Sequence, residues 1–132
     1  MFNGLDHIAI VVPDTESALL TWRDRFGFPV LVSEVVNQGT VRLTHLDLGN
    51  TQLQLVEPLA EDHPLQAWLA ANGPGLHHLC LKVDDVGVAF EQVGELGLSP
   101  AAPAPHEAVQ GRRALFLKTT ETDGVPVELA GK

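Results

Sequence analysis

Cysteine, basic side chains and long apolar runs are all scarce in this sequence, and each shortage removes a class of protein. Cys80 is the single cysteine, which excludes an internal disulfide and any thiolate-based zinc cluster. Its place inside an apolar, strand-like stretch reads as a buried residue rather than a nucleophile. Eight Lys and Arg stand against 17 Asp and Glu, and the formal charge of -9 repels a phosphate backbone. Nucleic acid is thereby excluded as a partner, while a local basic patch for a small anion is not. The longest apolar run near the start, Ile8 to Pro13, is far short of the roughly 18 residues of a membrane span, and no basic segment precedes it as in a signal peptide. The expectation is a soluble, cytoplasmic protein without a membrane partner.

What the chain does contain is a globular balance of 45% hydrophobic and 19% charged residues over 132 positions, enough for one self-sufficient domain spanning 1–132. Within it one unit is written twice. Leu5-Asp6-His7-Ile8-Ala9-Ile10-Val11-Val12-Pro13-Asp14 aligns without gaps on Leu76-His77-His78-Leu79-Cys80-Leu81-Lys82-Val83-Asp84-Asp85, at an offset of 71 residues. Each copy opens with an alternating strand pattern and ends at an aspartate suited to capping a helix. The helix stripes repeat too: Ala18, Leu19, Trp22 and Phe26 before Gly27, then Ala89, Phe90 and Val93 before Gly97.

Three strand-like stretches follow each helix, near 29–36, 40–48 and 52–56 in the first half, and near Leu98, 113–118 and 125–129 in the second. Gly49-Asn50 reads as a hairpin turn. The proline-rich stretch from Pro100 to Pro105 reads as an irregular or edge segment. A short helical pattern from Pro64 to Ala71, broken by Asn72-Gly73-Pro74-Gly75, joins the halves. The expected architecture is α+β: a βαβββ module at about 3–58, a linker helix at about 62–73, and a second βαβββ module at about 75–130.

Alternation puts His7 on one strand face with Ala9 and Val11, and His78 on one face with Cys80. In the last strand of each half, Gln54 corresponds to Glu128, each between two apolar neighbours. Singly, each of the four is an ordinary structural or surface residue. Pairing of the two modules about a pseudo-two-fold axis would bring two imidazoles, an amide and a carboxylate into one cup, a set suited to a divalent first-row metal. His77 competes with His78 through a one-residue register change, and the alignment favours His78. His45, His63 and His106 have no counterpart in the repeat and are expected to face solvent.

The segments Leu5-Asp6-His7-Ile8-Ala9-Ile10, Gly75-Leu76-His77-His78 and Pro126-Val127-Glu128-Leu129 resemble signature segments of the methylmalonyl-CoA epimerases, in the vicinal-oxygen-chelate (glyoxalase) superfamily. The likeness extends to Gln38-Gly39, the stretch from Gln54 to Leu59, the linker around Trp68, and Gly111-Arg112-Arg113. It implies a cup-shaped mixed sheet, usually a homodimer, and one divalent ion per chain, cobalt or zinc first and nickel or manganese next. It also implies an anionic thioester substrate that exchanges the proton between its two carbonyl groups, with Glu128 as ligand and base.

Two positions depart from the pattern. Arg42 stands where several bacterial members have a glutamate, three residues after the Gln-Gly glycine, and an arginine cannot act as a base at ordinary pH. It is either a bidentate partner for a substrate carboxylate or an exposed strand residue. Lys118-Thr119-Thr120 replaces a His-Pro-Lys sequence. Arg42, Arg112, Arg113 and Lys118 are the candidate substrate contacts. Alternatives of the same fold are a lactoylglutathione lyase-like isomerase and a ligand-binding resistance protein, with an extradiol dioxygenase ranked below both.

Overall fold

The computed structural model describes residues Met1–Lys132, and the chain divides into two compact units, Ile8–His77 and Met1–His7 with His78–Lys132. The first strand, β1 (Phe2–Val11), is cut between His7 and Ile8, so its opening half belongs with the C-terminal residues. These units cut across the repeat, whose modules run in sequence order. The placement matters because it puts His7 in the same unit as His78.

In the unit Ile8–His77, β1 is followed by α1 (Thr15–Leu19), β2 (Val30–Val36), β3 (Val41–Asp47), β4 (Gln52–Pro58) and α2 (Pro64–Asn72). The strands run in the order β2-β3-β4-β1, with β2, β3 and β4 antiparallel. Asp14 caps α1 by accepting from the Ser17 backbone N–H at 2.9 Å and from its hydroxyl at 2.7 Å. Ile10, Val12, Leu46, Leu53 and Leu55 form the face that buries Leu19, with Ala18 and Trp22 packed alongside.

Phe26 leaves that stripe. After Leu19 the helix widens into a π-helical turn over Leu20–Arg25, and the Phe26 N–H donates to the Thr21 carbonyl five residues back. The wider turn breaks the 3.6-residue spacing, and Phe26 ends 59% exposed, stacked between Trp22 and Phe28.

In the other unit, β5 (Gly75–Val83) leads to α3 (Val86–Gln92), β6 (His106–Glu107), β7 (Arg113–Phe116) and β8 (Val127–Gly131). The order is β1-β5-β8-β7-β6, with β5 parallel to β8 and the pairs β8/β7 and β7/β6 antiparallel. Asp85 caps α3 through the Val88 N–H at 3.0 Å, and Gly97 closes the helical segment in the left-handed conformation, φ 81. The strand expected near Leu98 is a single antiparallel bridge, Pro100 with Leu117, flanked by bonds from the Lys118 N–H to the Ser99 carbonyl and from the Ala101 N–H to the Phe116 carbonyl. Pro103 and Pro105 lack a backbone donor and interrupt that edge, and pairing resumes as the two-residue strand His106–Glu107.

The two sheet faces of this unit differ in kind. One carries Leu115, Leu117, Val127 and Leu129 against Val86, Ala89 and Val93 of the α3 segment. The other holds the small side chains Cys80, Ala114 and Ala130, with Ala108 beside them. Small residues there leave room for functional groups. The chain end locks onto this unit, since the Val86 N–H donates to the Lys132 carbonyl and the Lys132 N–H to the Asp84 carbonyl.

Two substitutions test this packing. Leu129 is fully buried, and Leu129→Ala should cost about 2–5 kcal/mol in urea unfolding. A Cβ on Gly131 would meet the Val83 backbone oxygen at 2.2 Å, so Gly131→Ala should cost about 1–3 kcal/mol despite adding only one methyl group.

Candidate metal centre

Strand register assembles the centre. The parallel pairing sets Cys80 opposite Glu128, and the antiparallel pairing sets Phe116 opposite Glu128, so His78, Cys80, Phe116 and Glu128 share a face. His7, His78 and Glu128 are 3%, 9% and 6% exposed. Glu128 Oε1 lies 3.3 Å from His7 Nε2 and 3.4 Å from His78 Nε2. One ligand atom from each of the three residues falls within 4.8 Å of the others. Two imidazole nitrogens and a carboxylate oxygen, all buried, are a donor set that fits a divalent first-row metal.

The tautomer of His7 is fixed from behind. Its Nδ1–H donates to Asp6 Oδ1 at 2.8 Å, so Nε2 is the ring nitrogen that could hold a metal. Asp6 is clamped in turn by Arg112, whose Nη2 and Nη1 donate at 2.6 and 3.4 Å. Burial alone raises the Asp6 carboxyl, but the hydrogen bonds from His7 and Arg112 and the guanidinium charge outweigh it, and the pKa falls well below the usual carboxylate range. Burial likewise lowers His7, and the bonds to Asp6 and Glu128 overcome it and raise the ring. For Glu128 burial raises the carboxyl, and the bonds to His106, His7 and His78 more than reverse that, leaving it ionised. Cys80 is the opposite case: burial and the nearby carboxylates push its thiol far up, so it stays protonated.

Gln54 belongs to the other unit, where it is 5% exposed and faces His45 across β3 and β4. Its amide Nε2–H donates to His45 Nε2 at 3.0 Å, while His45 Nδ1 donates to Gln52 Oε1 at 2.8 Å. One tautomer satisfies both bonds, and it leaves the Gln54 amide oxygen as the ligand-competent atom. His45 is thus 2% exposed rather than solvent-facing. Its register with Gln54 is a consequence of the hairpin turn at Gly49-Asn50, which the repeat does not report.

The remaining candidates scatter. Arg42 pairs with Glu57 in register and donates to Ser33 Oγ at 3.1 Å, on the face of β3 that also carries Thr44 and Leu46. Leu43 and His45, not Arg42, share the Gln54 face. Arg113 is exposed and lies 3.7 Å from Asp85. Lys118 is exposed at the start of a short 3₁₀ turn, its N–H donating to the Ser99 carbonyl.

His77 packs edge-on against Trp68 at 5.2 Å, consistent with the alternation that turns His78 toward Glu128. His63 accepts the Leu65 N–H at the start of α2. His106, also expected in solvent, lies 3.1 Å from Glu128 Oε2.

Residues 6–116 match the Glyoxalase/Bleomycin resistance protein/Dioxygenase superfamily. The chain belongs to this vicinal-oxygen-chelate superfamily. Among similar curated proteins, the mitochondrial methylmalonyl-CoA epimerase of Mus musculus is 34% identical over 95% of this chain and 71% of its own length. The ethylmalonyl-CoA/methylmalonyl-CoA epimerase of Cereibacter sphaeroides is 32% identical over 98% of both. Streptomyces coelicolor methylmalonyl-CoA epimerase in complex with 2-nitronate-propionyl-CoA superimposes with a TM-score of 0.88 at 30% identity, covering 100% of this chain and 99% of that one. The α+β fold is therefore the vicinal-oxygen-chelate fold, and the chain is an isomerase of the epimerase type.

The Asp6–Arg112 clamp carries a stability prediction. Arg112→Leu leaves a buried carboxylate with one partner fewer and should cost about 1–3 kcal/mol near neutral pH. Asp6 titrates below its unfolded value, so the clamp contributes fully above the unfolded carboxyl pKa and fades as pH falls through the lowered one. In urea titrations the gap between wild type and variant should narrow in acid.

Proposed function

We propose that this chain epimerises methylmalonyl-CoA, or a closely related 2-substituted acyl-CoA, with a divalent ion held by His7, His78 and Glu128. The observation that carries the reading is the buried His7–His78–Glu128 cluster in a chain similar over nearly its whole length to proteins named methylmalonyl-CoA epimerase and ethylmalonyl-CoA/methylmalonyl-CoA epimerase. A solved methylmalonyl-CoA epimerase of the same fold, in complex with methylmalonyl-CoA and ammonium, matches at a TM-score of 0.88 and 30% identity. Gln54 is proposed as a fourth ligand on the strength of the sequence repeat alone. The nitrogen and oxygen donors suit cobalt or zinc, with nickel or manganese next. A homodimer is part of the same proposal.

A divalent ion held by His7, His78 and Glu128 would supply Lewis-acid stabilisation of the negative charge that develops when the acidic proton leaves. The protein's own groups do the rest. Glu128 is ionised and buried, so it can accept the proton from the carbon between thioester and carboxylate and return it. The Asp6 bond to His7 holds that ring in one tautomer throughout. Return to the opposite face would require a second proton donor. Arg42 does not supply it, because it stays protonated and lies on the other face of β3 from Gln54.

Purified protein should carry about one divalent ion per chain, and His7→Ala and His78→Ala should each lose most of it. Unchanged metal content in both variants would remove the assignment. In deuterated water, methylmalonyl-CoA should gain deuterium at the carbon between its carbonyl groups, and Glu128→Gln should abolish this. Arg42→Glu should leave the ratio of epimerisation to exchange as it is. If metal-loaded protein leaves methylmalonyl-CoA untouched yet isomerises a glutathione hemithioacetal, the lyase reading replaces this one.

A further inference from the structure

His106 has no counterpart in the repeat, and its place in the fold is specific. It lies in β6, a two-residue strand of His106 and Glu107 at the sheet edge, directly after Pro103 and Pro105. Register pairs His106 with Ala114, and Ala114 with Ala130, so small side chains flank the imidazole on the Glu128 face. The ring stacks on Phe116, centroids 5.8 Å apart and planes 16° apart. Phe116 in turn meets His78 edge-on at 4.9 Å. One aromatic ring therefore sets the positions of two imidazoles on either side of it.

These two imidazoles approach different oxygens of the same carboxylate. His78 and His7 face Glu128 Oε1, whereas His106 Nε2–H donates to Oε2 at 3.1 Å. His106 is outside the cluster whose ligand atoms lie within 4.8 Å of one another, and its side chain is 35% exposed against 8% for Glu128. It is placed to hold the carboxylate, not to join the ligands.

We propose that His106 is a positioning residue: by occupying Oε2 it fixes the carboxylate plane so that Glu128 presents Oε1 alone to the metal. This rests on the proposed binding of an ion by His7, His78 and Glu128. Without the His106 bond, rotation about the last side-chain torsion of Glu128 is broad, and both oxygens become available to the ion. Partners behind a ligand that orient it in this way typically contribute 10- to 100-fold in metal affinity.

The test uses the full chain, stripped of metal and titrated with cobalt against a competing chelator at one pH, with the visible cobalt spectrum recorded at saturation. His106→Leu should weaken cobalt binding by about 10- to 100-fold. It should also weaken the d–d bands, which lose intensity as coordination number rises. His106→Gln retains an amide donor at similar reach and should recover most of the affinity and the wild-type spectrum.

Wild-type affinity and spectrum in His106→Leu would overturn the proposal. So would a loss in His106→Leu that His106→Gln does not recover, together with a matching fall in the melting temperature of the metal-free protein, since that marks a role in folding alone. Glu128→Gln separates the two levels. If it binds cobalt as wild type does, the metal-site reading itself fails; if it binds weakly while His106→Leu binds normally, only the positioning role falls.

Discussion

A carboxylate almost wholly removed from water organises the centre. Removing such a charge from solvent costs several kcal/mol unless other groups replace its hydration, and Glu128 is 6% exposed. Three imidazoles do so, two at Oε1 and one at Oε2, and they keep the group ionised against the burial that would neutralise it. The arrangement is costly to dismantle one residue at a time, because each loss leaves a buried charge less compensated. It is also chemically poised, since the buried anion and the imidazole nitrogens around Oε1 form the donor set that a divalent cation would complete.

Much of the surrounding architecture follows from that requirement. β1 gives its first half to the C-terminal unit, which is how a histidine at position 7 reaches one at 78 and a glutamate at 128 within one compact body. Cys80, Ala114 and Ala130 keep their face shallow, so the imidazoles fit where leucines would fill the space. The helix-bearing face, with Leu115, Leu117, Val127 and Leu129 packed on the α3 segment, supplies the rigidity that holds the register. Behind His7, the Asp6–Arg112 pair completes a chain of charge from surface to centre.

The repeat made the strands and helices legible, together with His7, His78 and Glu128, because a duplicated register carries its face assignments with it. Gly97, Asp14 and Asp85 were readable for local reasons, as left-handed stop and helix caps. What escaped was whatever depends on a partner outside the repeat. His106 and His45 were expected in solvent, since neither has a symmetry mate and the hydrogen bonds that bury them cross strands whose pairing depends on particular loops. The bond from Arg112 to Asp6 was not legible either, because the two lie 106 residues apart. Asp6 offered one usable signal, a carboxylate directly beside a proposed ligand histidine. The strand expected near Leu98 shrinks to one bridge at Pro100 for a simpler reason: the prolines that follow break the edge, which pairs again at His106.

The central claim is that His7, His78 and Glu128 hold one divalent ion. The most direct test is a crystal structure of the cobalt-loaded protein with anomalous difference maps at the cobalt edge. The account predicts one strong peak per chain, bonded to His7 Nε2, His78 Nε2 and Glu128 Oε1. A peak seated on Asp6 and Cys80, or no peak at these three residues in protein that demonstrably carries cobalt, would contradict it.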